Sequence, residues 1–203
     1  MTRPAAFLDR DGVINLDRGY VHRWEDFEFV PGAVDAMRRL EAAGYALVVV
    51  TNQSGVARGL YGERELELLG EQLRAHLADA GVHLAAIEYC PHLPQASVAA
   101  YAIDCDCRKP APGMILRAAR ALQLDLARSV LFGDKQSDIE AARRAGVGRS
   151  FLLATDGVAD PTGERPDHLA LADAVDALLG GTARPHGSAA NAAPAFDGLS
   201  SRE

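Results

Sequence analysis

Short apolar runs alternate along the chain with longer stretches in which apolar residues recur at helical spacing. Five runs have the length and composition of buried parallel strands, and they cover residues 4–9, 45–51, 84–89, 129–134 and 150–154. The helical stretches cover residues 32–43, 63–80, 113–122, 137–145 and 169–179. This order predicts an α/β fold in which a Rossmann-like parallel sheet carries helices on both faces.

The last part of the chain has a different composition from the rest. Residues 181–203 are rich in Ala, Gly, Ser and Pro and lack apolar periodicity, so a flexible tail is predicted there. Residues 1–180 are then predicted to form a single domain. The chain of 203 residues, 48% hydrophobic and 24% charged, is long enough to bury one sizeable core.

Charge and apolar length exclude several classes of partner. A net charge of −7 disfavours non-specific binding to nucleic acid or to anionic lipid, which needs an excess of Lys and Arg. The apolar stretch near the N-terminus is too short for a signal peptide, and the run at 45–51 is too short to span a bilayer. We therefore expect a cytoplasmic protein that acts on a small molecule and binds neither nucleic acid nor membrane. A monomer is our expectation for the oligomeric state, although the sequence does not determine it.

Polar residues close three of the predicted strands. Asp9 ends the first strand, Thr51 the second and Asp134 the fourth. In open α/β sheets the ligand lies at the carboxyl ends of the strands, near a switch in strand order. The sequence therefore predicts that these side chains gather at one edge of the sheet.

Two sequence elements suit phosphoryl transfer. Asp9 and Asp11 offer one carboxylate to attack phosphorus and a second to give a proton to the leaving oxygen, although two such acids are also common in turns and caps. The segment Thr51-Asn-Gln-Ser-Gly combines a hydroxyl with successive backbone N–H groups, which suits phosphate oxygens. Its alternative interpretation is a polar exit from a strand.

Two further elements could supply cations and a metal site. Arg108 and Lys109 precede two prolines, and a cation there could neutralise a phosphoryl group, although such pairs are usually solvated. Asp134 and Asp138 lie at a strand end and in the first turn of the next helix. Acids there can bind Mg²⁺ through oxygen, or Asp134 could cap the helix.

Together, in this order, the four elements resemble the signature of the haloacid dehalogenase superfamily of phosphatases, and the match runs from Phe7 to Asp138. Fuller strings are similar to those of sugar bisphosphate phosphatases in that superfamily: FLDRDGVIN, GYVH, VVVTNQSGVARG, YCPHLPQASV, CDCRKPAPGM and GDKQSD. The resemblance implies a haloacid dehalogenase-like fold and a Mg²⁺-dependent phosphatase that forms an aspartyl phosphate on a small phosphorylated sugar. No large cap domain is expected, because the stretch between Asp11 and Thr51 has room only for a loop and one helix.

The resemblance also implies roles for individual residues. Asp9 would be the nucleophile and a magnesium ligand, and Asp11 would act as general acid and base and offer its backbone carbonyl to the metal. Asp134 would complete the magnesium ligands, while Thr51 and Lys109 would hold the phosphoryl oxygens. The remaining substrate contacts would come from Asp17, Arg18, Gly19, Tyr20, Asn52, Gln53, Ser54, Arg108 and Lys135.

Four residues have the spacing of a zinc site. Cys90 and His92 form one pair, and Cys105 and Cys107 form a second pair across a loop. Three sulfurs and one nitrogen suit tetrahedral Zn²⁺, and four protein ligands leave no position for water, so the site is predicted to be structural. The alternative is a group of free thiols beside an incidental histidine. Zinc would hold the backbone that leads into Arg108 and Lys109, within a zinc-stabilised loop at about residues 90–107.

Other functions stay open at this point. A histidinol-phosphatase would use the same catalytic groups and the same zinc loop, and only its substrate would differ. A non-catalytic zinc protein that binds a phosphorylated ligand should lack one of the catalytic groups, yet all are present. A polynucleotide 3′-phosphatase would need a basic groove that the overall charge does not suggest.

Overall fold

Five strands form a single parallel sheet in the part of the chain that the computed structural model describes, which is residues 2–154, 166–168 and 170–180. The strands are β1 (Ala5–Leu8), β2 (Ala46–Asn52), β3 (Leu84–Cys90), β4 (Val130–Gly133) and β5 (Arg149–Leu152). Their order across the sheet is β3-β2-β1-β4-β5. The predicted parallel α/β sheet is confirmed, while the tail predicted at 181–203 lies outside the described residues.

Helices cover both faces of the sheet. They are α1 (Ala33–Ala42), α2 (Glu63–Asp79), α3 (Gly113–Leu122), α4 (Gln136–Ala145) and α5 (Leu171–Leu179). Neighbouring strand residues point to opposite faces, so Leu8 packs in the cluster that includes α1, α2 and α5, while Phe7 packs with α3 and α4. Both side chains are fully buried, which accounts for the continuous apolar runs in the sequence.

The switch in strand order places the site. From β1 the chain moves through β2 to β3 on one side, and it then crosses to β4 on the other side of β1. Leu8, the last residue of β1, pairs with Val49 of β2 and with Phe132 of β4, so Asp9, Thr51 and Asp134 follow this row of paired residues by one or two positions at the same edge. A crevice opens where such neighbouring strands connect in opposite directions. Asp9, Thr51 and Asp134 therefore lie at the edge of the sheet where this crevice opens, as the sequence predicted.

The predicted ends of some elements differ from the observed ones. β5 ends at Leu152, two residues earlier than expected, because Leu153 forms an isolated bridge with His168. β3 extends one residue further, to Cys90, whose carbonyl accepts a hydrogen bond from Gln53 N–H. Among the described helices, none has the length and apolar character needed to cross a membrane.

Candidate active site

Three buried carboxylates meet at the edge of the sheet. Asp9 follows β1, Asp134 follows β4, and Asp138 lies in the first turn of α4. Their oxygens lie within 4.8 Å of one another, and the residues are 6%, 4% and 1% exposed. Burial, together with the neighbouring Asp9 carboxylate, raises the pKa of Asp134 to about 7. So much negative charge in a buried space favours a divalent cation.

Lys109 places a buried ammonium beside this acidic cluster. Its Nζ lies 3.0 Å from Asp9 Oδ1 and 2.5 Å from Asp138 Oδ1, and it donates to the Val50 carbonyl at 2.8 Å. Burial acts to lower the pKa of Lys109, but the carboxylates of Asp138 and Asp9 outweigh it and hold the pKa above its usual value. The ammonium therefore stays charged next to Asp9.

Asn52 fixes the backbone of Lys109. The Asn52 side chain accepts from Lys109 N–H at 3.0 Å and donates to the Lys109 carbonyl at 3.1 Å. This pair of hydrogen bonds joins the end of β2 to the segment before α3, which is 57 residues away in sequence. Asn52, which was expected to contact substrate, is thus also a structural partner of Lys109.

Gly12 allows the turn after β1 to lie against the acidic cluster. Its φ is +85°, in the left-handed region that favours glycine, and a Cβ there would lie 2.5 Å from Asp134 Oδ2. A side chain at this position would therefore displace the Asp134 carboxylate. The glycine in Asp-x-Asp-Gly is explained by this close approach.

The Asp11 carboxylate lies outside the cluster of the other three acids and accepts several hydrogen bonds. Arg10 Nη2 lies 2.9 Å from each of its oxygens, Asn15 Nδ2 donates to Oδ1 at 3.0 Å, and Gln53 Nε2 donates to Oδ2 at 2.8 Å. Arg10 is itself 3% exposed and donates to the Val21 carbonyl at 2.6 Å. Asp11 is therefore held in one orientation, at 18% side-chain exposure.

A cleft of about 340 Å³ opens above the carboxylates. Most of the residues expected at the site line it: Asp9, Asp11, Asp17, Gly19, Tyr20, Thr51, Asn52, Gln53, Ser54 and Lys135. Lys135 Nζ lies 3.2 Å from Asp134 Oδ2 and 3.6 Å from Asp17 Oδ2, so it connects the acidic cluster to the loop before α1.

Two expected substrate contacts are not among the residues that line this cleft. Arg18 is exposed and pairs with Glu28. Arg108 donates from Nη1 to the His92 carbonyl at 3.2 Å, so its guanidinium lies against the cysteine-containing loop. That bond uses one of the five N–H donors of the side chain.

The predicted zinc ligands come together. The ligand atoms of Cys90, His92, Cys105 and Cys107 lie within 4.8 Å of one another, and the sulfur pairs are 3.2, 3.3 and 3.6 Å apart. Tetrahedral zinc with Zn–S bonds of about 2.3 Å spaces its sulfur ligands about 3.8 Å apart. Both the donor set and its spacing therefore fit this metal.

Glu63, at the start of α2, ties the cysteine-containing loop to the body of the protein. Its carboxylate accepts from Tyr89 Oη and from Tyr101 Oη, each at 2.8 Å. Tyr89 belongs to β3, and Tyr101 belongs to the short 3₁₀ helix Ala99–Tyr101 in the loop. The loop is thus anchored at a second point besides the Cys and His cluster.

Several residues of the site were not singled out by their sequence pattern. Arg10 and Asn15 hold Asp11, and Tyr61 contacts Gln53. Asp138 was recognised as an acid of the signature but was not included among the expected metal ligands. The position of Arg10 between Asp9 and Asp11 could have indicated its role, because a buried cation is favoured where two carboxylates lie close together.

Comparison with known proteins identifies the class. The family model described as "HAD-hyrolase-like", for hydrolases that resemble haloacid dehalogenase, matches residues 106–178. A protein of Escherichia coli O6:H1 is 52% identical over 161 residues, which are 79% of this chain and 85% of that protein. One of Photorhabdus laumondii is 47% identical over 180 residues, which are 87% of this chain and 96% of that protein. The chain belongs to the haloacid dehalogenase-like hydrolases and is a phosphoric monoester hydrolase.

Within this class, both relatives are named D-glycero-beta-D-manno-heptose-1,7-bisphosphate 7-phosphatase. A similar solved structure is the D,D-heptose 1,7-bisphosphate phosphatase of B. bronchiseptica, which was crystallised with magnesium and phosphate. It is 34% identical, with a TM-score of 0.72 over 87% of this chain and 98% of that one. The resemblance to sugar bisphosphate phosphatases that the sequence strings predicted is confirmed, as is the haloacid dehalogenase-like fold.

Proposed function

We propose that the chain hydrolyses the C7 phosphate of D-glycero-D-manno-heptose 1,7-bisphosphate through an aspartyl phosphate on Asp9. The observation that carries the proposal is the placement of Asp9 beside both a buried ammonium and the acidic cluster, at the floor of the cleft. The names of its relatives support the substrate. The pathway would be the synthesis of ADP- or GDP-heptose precursors for lipopolysaccharide or glycoprotein, in the cytoplasm.

Each chemical step is assigned to a residue of the chain. An Asp9 carboxylate oxygen attacks phosphorus, and the C7 oxygen leaves with a proton from Asp11. Asp11 then takes a proton from the water that attacks the phosphoryl group on Asp9, and the bond between phosphorus and the Asp9 oxygen breaks, which restores the Asp9 carboxylate. The products are heptose 1-phosphate and inorganic phosphate. Lys109 and the Thr51 hydroxyl stabilise the phosphoryl oxygens during both displacements.

Magnesium would be held by Asp9, Asp134 and the backbone carbonyl of Asp11, as the family resemblance implies, with Asp138 beside them. When bound, it supplies positive charge that offsets the repulsion between the anionic nucleophile and the anionic phosphate. The crowding of three buried carboxylates supports this assignment, because the two neighbouring ammonium groups, Lys109 and the more exposed Lys135, do not balance their charge. Asp17, Gly19, Tyr20 and Ser54 would contact the sugar, and a monomer remains our prediction.

We expect about one tightly bound zinc ion per chain, held by Cys90, His92, Cys105 and Cys107. Cys107→Ser should lose the metal and lower the melting temperature, because metal binding and local folding are coupled. Activity should fall with it, since Cys107 directly precedes Arg108 and Lys109. Elemental analysis of protein purified without chelator measures the metal. Protein that is stable and active yet free of zinc would contradict the assignment.

Substrate choice can be tested directly with purified protein. Phosphate release should be fastest from the heptose bisphosphate, compared with histidinol phosphate and with simple sugar monophosphates under the same conditions. Phosphorus NMR of the product should show that the C1 phosphate is retained. Faster turnover of histidinol phosphate would replace the heptose substrate with the alternative, because a histidinol-phosphatase would use the same catalytic groups.

Arg108 is our candidate for recognising the second phosphate of the bisphosphate. A planar guanidinium binds phosphate through two parallel hydrogen bonds, and its bond to the His92 carbonyl ties it to the zinc loop. Arg108→Ala should reduce the preference for bisphosphate over monophosphate by roughly tenfold to a few hundredfold, as for a charge-assisted hydrogen bond. The ratio of kcat/KM for the two substrates measures it. Equal losses on both would assign Arg108 to the transferred phosphate or to folding.

A further inference from the structure

The side-chain amide of Gln53 is buried between Asp11 and Thr51. Gln53 is 2% exposed, and its Nε2 donates to Asp11 Oδ2 at 2.8 Å and to Thr51 Oγ1 at 2.9 Å. Its Oε1 accepts a hydrogen bond from Tyr61 Oη at 2.6 Å. Both amide hydrogens and the amide oxygen therefore have partners inside the protein.

The surrounding groups fix the direction of this amide. Nε2 faces a carboxylate oxygen, which only accepts when ionised, while Oε1 faces a phenol that donates. The reverse orientation would place the carbonyl oxygen of Gln53 against the carboxylate of Asp11, two acceptors without a hydrogen between them, so the contact with Asp11 decides the orientation. Because Thr51 Oγ1 accepts from Gln53, its own hydrogen remains available for another acceptor.

Tyr61 is itself held firmly in place. It is 8% exposed, and its ring stacks on His22 with centroids 4.6 Å apart and an interplanar angle of 11°. A Cβ on Gly55 would lie 2.2 Å from Tyr61 Cε1, so the ring occupies space that only glycine leaves open. Burial raises the pKa of Tyr61 to about 12, and its hydroxyl therefore remains a donor throughout the pH range of activity.

We infer that Gln53, fixed by Tyr61, is a positioning residue that aims the Asp11 carboxylate at the leaving oxygen. The sequence had suggested a substrate contact for Gln53, whereas its buried amide is used within the protein. Arg10 and Asn15 also donate to Asp11, so three side chains together define its orientation. The inference rests on the proposed role of Asp11 as general acid.

The consequence depends on the leaving group. A primary alcohol such as the C7 hydroxyl is a poor leaving group and needs a well-placed acid, which contributes about 10²- to 10⁴-fold in rate. p-Nitrophenol leaves readily without a proton. A misaligned Asp11 should therefore slow the first displacement for the sugar phosphate and affect p-nitrophenyl phosphate much less.

The test measures release of the leaving group in a single turnover, with enzyme in excess, for the heptose bisphosphate and for p-nitrophenyl phosphate. In Tyr61→Phe, which keeps the ring and its stacking, the ratio of the two rates should fall about fivefold, as for one neutral hydrogen bond. In Gln53→Met, which is similar in size but lacks the amide, the ratio should fall by about a hundredfold. Gln53 also contacts Thr51, so these variants could slow the reaction of both substrates equally, and the ratio of the two rates removes that shared effect.

The matched control is Tyr45→Phe, which removes a phenol at the opposite end of the sheet, beside the start of β2, and should leave the ratio unchanged. Melting temperatures show whether each variant folds. If Gln53→Met does not fold, the result for Tyr61→Phe alone decides the question. An unchanged ratio in Tyr61→Phe would overturn the inference, as would an equal loss on both substrates. Asp11→Asn distinguishes failure of this inference from failure of the proposed function. If its loss of rate does not depend on the leaving group, the role proposed for Asp11 as general acid fails instead.

Discussion

Asp9→Asn should abolish turnover, with a fall of at least about ten-thousandfold in kcat, because an amide is a poor nucleophile toward phosphorus. The protein should remain folded. Asp9 lies among Asp134 and Asp138 within 4.8 Å, so an uncharged amide of nearly the same shape relieves repulsion, and Lys109 keeps its contact with Asp138. Steady-state phosphate release and thermal unfolding measure the two effects.

The matched control for this variant is Asp35→Asn. Asp35 lies in the first turn of α1, is exposed, and pairs with Arg38 one turn later. Its replacement should change neither activity nor, by more than about 1 kcal/mol, stability. Rates in Asp9→Asn that resemble those of the control would end the phospho-aspartate proposal.

Lys109→Met should cost both activity and stability. It removes the ammonium that contacts Asp9 and Asp138 and leaves buried carboxylates without their cation, which typically costs about 3–5 kcal/mol of unfolding free energy. The loss of charge at the transferred phosphoryl group should lower kcat by about a hundred- to a thousandfold. Urea unfolding and steady-state kinetics separate the two losses.

A double variant shows whether the charge explains the instability. Adding Asp138→Asn to Lys109→Met removes one of the stranded carboxylates, so the pair should be less destabilised than the sum of the two single changes. Arg64→Met serves as the stability control, because that side chain is 76% exposed and its ion pair with the exposed Glu67 is worth little. Additive losses, or an equal loss in Arg64→Met, would show that packing and not charge holds Lys109.

The elements that the sequence predicted well are those that depend on local patterns. Continuous apolar runs marked the five strands because both faces of the sheet are buried, and three of the runs ended at a polar residue of the candidate site: Asp9, Thr51 and Asp134. The meeting of Cys90, His92, Cys105 and Cys107 could be predicted because three sulfurs and one nitrogen at this spacing suit a single metal ion. The other residues expected at the site were predicted from the order and spacing of the four sequence elements.

The contacts that orient these groups could not be predicted from local patterns. Asn52 forms hydrogen bonds with the backbone of Lys109, which is 57 residues away in sequence. The Tyr61 hydroxyl donates to the Gln53 side chain, a contact that depends on how both side chains are oriented in the folded protein. A motif such as Thr-Asn-Gln-Ser-Gly indicates polar groups at a strand end, but it does not distinguish side chains that face the substrate from those that face inward. Burial in the folded protein decides that, and for Gln53 it favours the inward role.

The claim that phosphoryl transfer passes through Asp9 can be tested most directly by trapping. Wild-type protein is mixed with the heptose bisphosphate, quenched in acid during turnover, digested, and measured by peptide mass spectrometry. We predict one added phosphoryl group on the peptide that contains Asp9, and none when Asp9→Asn is treated in the same way. Rapid turnover without a phosphorylated peptide, or a phosphoryl group on any other residue, would contradict the mechanism.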